Sequence, residues 1–287
     1  MESKIAEAIG LTCHPVSLIW TDDKPQEAMQ FKEGKWGCVM WLVAHAAKGK
    51  LTICDARTVG CFGGGVGLGF GNQYLGVPGG VDCFCHFLSC GNEIWETGRQ
   101  VAEQIKPFVP EEFHDNFLHG ERYFKSPVEA AKFVQNLPMT VIPTRYVLFK
   151  PLDKVDFEKE TPEAIIFFVD PDQFSALVVL ANYARSDNEN VFIPYAAGCQ
   201  TLGIYPYREA KSEKQRAVAG MTDITVRSYI RKQLGDHLLT FTAPLRLFKE
   251  MEDNVEGSFL QKHAWLDLMQ ERNGKRPKEK KEKKSWP

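Results

Sequence analysis

The sequence predicts an α+β fold built as a single mixed domain. Helix-like and strand-like periodicities alternate along the chain, two helix starts carry strong capping signals, and only the segment from Pro138 to Pro143 offers an interior boundary. The 287 residues, 44% hydrophobic and 25% charged, are enough to bury a sizeable core.

Glu2 to Ile9 reads as a short helix and Val16 to Trp20 as a strand, stopped by Thr21-Asp22-Asp23-Lys24-Pro25. Gly37 to Lys48 is apolar nearly all round and ends at Gly49, the pattern of a buried helix with a glycine cap, and Leu51 to Cys54 follows as a short buried strand. Glycines crowd residues 60 to 80 into what reads as a Gly-rich loop, before an apolar helix from about Val81 to Ser89 that stops at Gly91. Ser126-Pro127-Val128-Glu129 is a capping box with proline at the first helical position, which predicts a helix over Pro127 to Asn136. Tyr146 to Lys150 is a strand. Asp170-Pro171-Asp172-Gln173 repeats the capping logic after the β-rich run Ala164 to Val169 and starts a helix running to Ala184. His237 to Phe241 adds a strand, and Pro244 to Glu271 reads as a long closing helix with a break near Gly257. The domain therefore covers residues 1–270, and 271–287 form a disordered Lys/Glu-rich tail with no apolar face to bury.

That tail carries eight Lys or Arg against three Glu, so the net charge of −2 hides an acidic body at −7. Nucleic acid is excluded as the main partner, because neutralising phosphates needs a basic face that the body lacks. No apolar run approaches the roughly 18 residues of a membrane span. The acidic N-terminus has no apolar signal region, and the expected location is the cytoplasm.

Eight cysteines stand at 13, 38, 54, 61, 83, 85, 90 and 199; in a cytoplasmic chain these are thiols, metal ligands or catalytic groups before they are disulfides. No Cys-x-x-Cys occurs, so neither a zinc ribbon nor a ferredoxin spacing is encoded. Their neighbours are more telling. Cys38, Cys61 and Cys199 each follow a glycine, where a missing Cβ lets backbone approach a bulky group and lets amides point at sulfur. Cys61 opens Cys-Phe-Gly-Gly-Gly-Val-Gly-Leu-Gly, which can form the concave amide nests seen at iron–sulfur and phosphate sites. The opposing reading is that each is a small buried hydrophobe. Cys83, His86 and Cys90 at i, i+3 and i+7 share a helix face that would suit zinc or copper, although an apolar helix packing its thiols inward is the simpler account, and Cys85 lies among them. No Gly-x-Gly-x-x-Gly, Walker loop or hydrolase elbow is present. Asp223 and Arg227 are spaced as a helix-surface ion pair or, less often, an anion clamp.

Trp36-Gly37-Cys38, Cys61-Phe62-Gly63-Gly64-Gly65, Phe87-Leu88-Ser89-x-Gly91-Asn92-Glu93, Ala197-Gly198-Cys199, Gly220-Met221-x-Asp223 and Arg227 together resemble the domain-of-unknown-function family 169, the ArCR-like prokaryotic proteins, many of them from anaerobes. The resemblance runs over roughly residues 5 to 260 and implies one domain; it supplies positions and no reaction.

Two functional readings follow. In the first, Cys38, Cys61 and Cys199 hold an iron–sulfur cluster, most simply [4Fe–4S]. Three thiolates leave one iron open to a small-molecule substrate, whereas a fourth, with Cys54 the first candidate, closes the cluster and leaves exchange with an electron-transfer partner. In the second, a metal-free module binds an anionic metabolite with Gly63, Gly64 and Gly65 of the glycine-rich loop and with Arg227. A zinc site and a reactive-thiol enzyme are further alternatives.

Overall fold

The computed structural model describes residues 2–272 and Gly274. Among them, β1 (Val16–Thr21), β2 (Thr52–Cys54), β3 (Tyr146–Pro151), β4 (Pro162–Val169), β5 (Val191–Phe192), β6 (Ala217–Gly220) and β7 (Leu239–Pro244) form one sheet in the order β2-β3-β1-β4-β7-β6-β5. Its pairings are antiparallel except β5 with β6. Side chains alternate across β4, the central strand: Ile166 and Phe168 enter one core, and Ile165, Phe167 and Val169 enter the other. Both faces are therefore covered, and the fold is α+β in one domain.

The first core holds α2 (Val39–Ala47), α3 (Phe62–Leu68), α9 (Gly198–Leu202), α10 (Ile204–Ala210) and α11 (Ile224–Leu234). The second holds α1 (Lys4–Ala8), α8 (Pro171–Asn182), α12 (Leu245–Asp253) and α13 (His263–Arg272). A lateral layer of α4 (Gly80–Phe87), α5 (Glu96–Ile105), α6 (Glu111–His119) and α7 (Pro127–Asn136) packs around Cys83, Ala102 and Phe117, and around Cys85 and Ala130.

Capping physics sets the best-marked boundaries. The Ser126 hydroxyl accepts from the Val128 amide, and Asp170 and Gln173 form a reciprocal capping box at α8. One expectation changes. The glycine stretch is helical from Phe62 to Leu68, not a loop, because the Cys61 side chain caps its first turn and Gly69 at φ +90° ends it. The closing helix breaks where expected: α12 and α13 are separated by a turn with Gly257 at φ +79°. The Pro138 to Pro143 segment is no boundary: the Ile142 amide donates to the Gly69 carbonyl at 2.9 Å and Val141 bridges to Phe70. Among the described residues no helix is long and apolar enough to cross a membrane.

The domain extends past residue 270. Arg272 holds the Asp170 carboxylate with both guanidinium arms, one at 3.1 Å, and lies 3.8 Å from Asp172. Arg272→Ala should lower Tm by a few degrees, from the roughly 1–3 kcal/mol of a charge-assisted pair. Truncation after residue 274 should leave Tm unchanged, and equal melting of the wild type and Arg272→Ala would refute the anchoring role. Of the expected disordered tail, 271–287, residues 271 and 272 end α13, and residues 273 and 275–287 lie outside the described residues.

Candidate functional site

Glycines bring the cysteine segments together. The Gly37 amide donates to the Gly60 carbonyl at 3.2 Å, and a Cβ on Gly60, whose φ is +86°, would stand 2.5 Å from the Gly37 oxygen. No larger residue fits between these backbones, so Cys38 and Cys61 follow side by side as the N-caps of α2 and α3. On the other flank of α3, a Cβ on Gly67 would lie 2.7 Å from the Cys199 carbonyl carbon and 2.8 Å from its Sγ. The first turn of α9 is thereby pressed against α3, and the Cys199 thiol donates to the Gly63 carbonyl at 3.2 Å. Asp223, N-cap of α11, accepts from the Thr225 and Val226 amides at 2.9 and 3.4 Å, and the Gly198 amide also acts on its carboxylate. Four helix N-termini thus meet, three bearing a cysteine and the fourth an aspartate.

The electrostatics of this meeting point are one-sided. Burial pushes the Cys38 thiol up to about 12, with Cys61 and Asp223 adding repulsion and the Met40 and Trp41 amides opposing it. Burial also raises Cys61, against the amides of Gly64, Val39 and Gly63, the first of these 3.2 Å from the sulfur. Cys199 is raised well above an ordinary thiol by burial and then by Cys61, Cys38 and Asp223. Cys61 raises the other two sulfurs, and Asp223 adds to the shift of all three. Helix-end amides favour thiolates here, yet desolvation and mutual repulsion raise the sulfurs and favour the protonated thiols.

Several residues that the sequence reading passed over line the same region. Tyr74 is 2% exposed, stacks on Phe84 at 4.1 Å, and accepts at its hydroxyl from the Gln200 amide at 2.9 Å. Cys199, Cys61 and Asp223 all act on its phenol. Beyond Asp223, the Thr225 hydroxyl donates to Glu121 at 3.0 Å and stands 2.6 Å from the Tyr123 hydroxyl, while Tyr123 packs against Tyr195. Met221 holds φ +63° immediately before this cap, a backbone strain of the kind that collects at functional sites. Trp36, Trp41 and Tyr229 pack edge to face beside the Cys38 turn. Trp36 is 47% exposed and Phe62 40%, so the cysteine turns lie near the surface.

Burial raises the Glu121 carboxyl to about 7, with Asp223 adding to the shift and Thr225 opposing it. Between about pH 4.5 and 7 the folded chain holds a proton that the unfolded chain has released, so stability falls as pH rises through that window. Glu121→Gln should remove a loss on the order of 2–3 kcal/mol, melting above the wild type at pH 8 and level with it near pH 4. Parallel melting curves across that range would contradict the raised carboxyl.

The other expected positions fall elsewhere. Cys54 is fully buried at the end of β2; burial, then Asp55, then Cys61 raise its thiol. Cys83 and Cys85 face the two lateral clusters, and His86 is occupied by the Asp82 carbonyl at 2.9 Å and by stacking on Trp95. Ser89, Gly91 and Asn92 of the third motif serve the fold: the Ser89 hydroxyl donates to the Cys85 carbonyl and the Asn92 amide to Cys83 and Phe117. Gly63, Gly64 and Gly65 form the first turn of α3, with Gly64 donating to sulfur. The Asp223–Arg227 ion pair is absent, because a carboxylate turned back to cap α11 cannot also face its fourth residue. Arg227 instead donates to the carbonyls of Met221, Leu238 and Asp236 at 3.4, 3.2 and 3.0 Å. Among the described residues no three His, Cys, Asp or Glu side chains form a group that could hold a metal ion as they stand. Clefts of about 280 and 330 Å³ open beside Trp41 and His45 and beside Cys13 and His14.

The family model of DUF169, described as uncharacterised ArCR, matches residues 4–254. No curated protein and no solved structure matches the chain.

Proposed function

The chain belongs to the domain-of-unknown-function family 169, and from that premise we propose that Cys38, Cys61 and Cys199 hold an iron–sulfur cluster, most simply [4Fe–4S]. The observation that carries this reading is the convergence of three glycine-preceded cysteines, from three separate segments, on one meeting point of helix N-termini. A single zinc ion needs every donor about 2.3 Å from one centre. A cluster spreads its thiolates over several metal atoms and so asks less of the distance between any two of them.

The amides of Val39, Gly63 and Gly64 aimed at Cys61 supply the hydrogen bonds to sulfur that tune a cluster's potential. Three thiolates leave one iron for a small molecule, which favours an enzyme; recruitment of Cys54 would close the cluster and favour an electron carrier. The metal-free metabolite reading draws little support from Arg227, whose guanidinium is engaged by three backbone carbonyls.

Protein purified without oxygen should be brown, absorb near 400 nm and bleach on reduction with dithionite. A colourless protein after reconstitution with iron and sulfide overturns the proposal, and one equivalent of tightly held zinc replaces it with the tetrahedral alternative.

A further inference from the structure

Tyr74 presents a buried hydroxyl whose acceptor side is already used. The Gln200 amide donates to its oxygen at 2.9 Å, and Gln200 is fixed in turn because its own carbonyl accepts from the Ala197 amide at 3.0 Å. The phenolic hydrogen has no acceptor among the described residues, although the side chain is 2% exposed. A buried donor without a partner is costly, so it marks a place where an acceptor is missing. The hydroxyl faces the first turn of α3: a Cβ on Gly63 would come 3.9 Å from the phenol oxygen, and the bare glycine leaves that space open. The same turn carries Cys61 as its cap and receives the Cys199 thiol at Gly63. Stacking on Phe84 at 4.1 Å holds the ring, so the hydroxyl cannot swing away.

We propose that Tyr74 is the hydrogen-bond donor to whatever completes the three-cysteine site, and that this completing ligand is an exogenous oxygen acceptor, solvent or the oxygen of a small substrate, rather than Cys54. The inference rests on the cluster reading and sharpens it: Tyr74 stands against the turn of α3 that Cys61 caps and the Cys199 thiol meets, whereas Cys54 is fully buried in β2, paired with Val147 of β3. Tyr74 is then a positioning residue. Its hydrogen bond stabilises added negative charge at the cluster, which raises the reduction potential.

The test compares iron-loaded wild type, Tyr74→Phe and Cys54→Ser. Tyr74→Phe keeps the ring stack, and a circular dichroism spectrum and iron content equal to wild type establish that it folds and loads. Its reduction potential should shift to more negative values. Electron–nuclear double resonance in isotopically labelled water should show a solvent oxygen coupled to the reduced wild-type cluster and a changed coupling in Tyr74→Phe. Cys54→Ser should keep its iron. An unchanged potential and coupling in iron-loaded Tyr74→Phe overturns the role of Tyr74 alone, and iron lost from Cys54→Ser overturns the open position. A wild type that never binds iron overturns the cluster and this inference together.

Discussion

Cys38→Ser, Cys61→Ser and Cys199→Ser should each lose most of the iron, while Cys13→Ser, Cys83→Ser, Cys85→Ser and Cys90→Ser keep it. A serine hydroxyl is a hard, weakly acidic donor in place of a soft thiolate. The second group is spent on packing: Cys83 and Cys85 are buried against Phe117 and Ala130. Serine there costs only the roughly 1–3 kcal/mol of an imperfectly paired buried hydroxyl. Iron and sulfide assays on proteins expressed and purified together check this pattern. The reverse pattern, with iron following residues 83, 85 and 90, would show that the lateral helix holds the metal.

Gly60→Ala should destabilise the fold and abolish iron loading together. A left-handed φ of +86° costs a residue with a Cβ about 1–2 kcal/mol. The new methyl would also meet the Gly37 carbonyl oxygen at 2.5 Å and the Phe31 ring at 2.9 Å. Together these are worth about 2–4 kcal/mol, or a Tm lower by on the order of 10 °C. Gly34→Ala is the matched control, because Gly34 has a φ of +69° and nothing within 4 Å of the added Cβ. Comparable melting of the two variants would mean that the Gly37–Gly60 contact is not what sets the cysteine pair.

Local signals made much of the fold legible. The capping residues Ser126 and Asp170 fixed the starts of α7 and α8, and the apolar run after Cys38 marked α2, because these are decided within one helical turn. Segments with conflicting signals were lost. Ile204–Ala210 carries Pro206 and follows Gly203, which obscure a helix in sequence, yet a proline in the first turn of a helix gives up an amide that has no intrahelical partner anyway. Glu96–Ile105 and Glu111–His119 lack side-chain caps and gave no boundary to recognise.

The glycine before each of three cysteines is the legible part of the candidate site, since crowding leaves its trace in residue type: a Cβ would meet the Phe31 ring at Gly37, the Gly37 carbonyl at Gly60 and the Val226 side chain at Gly198. Tyr74, Glu121 and Tyr123 left none. A tyrosine or glutamate in a mixed stretch looks like any other, and only the packing of distant elements places them beside Asp223. Asp223 itself was noticed for the wrong partner, because its cap to Thr225 and Val226 and its reach to Gly198 depend on a turn at Met221 that the sequence does not announce.

The most direct test is the ratio of iron and acid-labile sulfide to chain in anaerobically prepared wild-type protein. The account predicts about four of each, as a [4Fe–4S] cluster requires. Folded protein that holds neither after reconstitution, or that holds a single zinc ion instead, would contradict it.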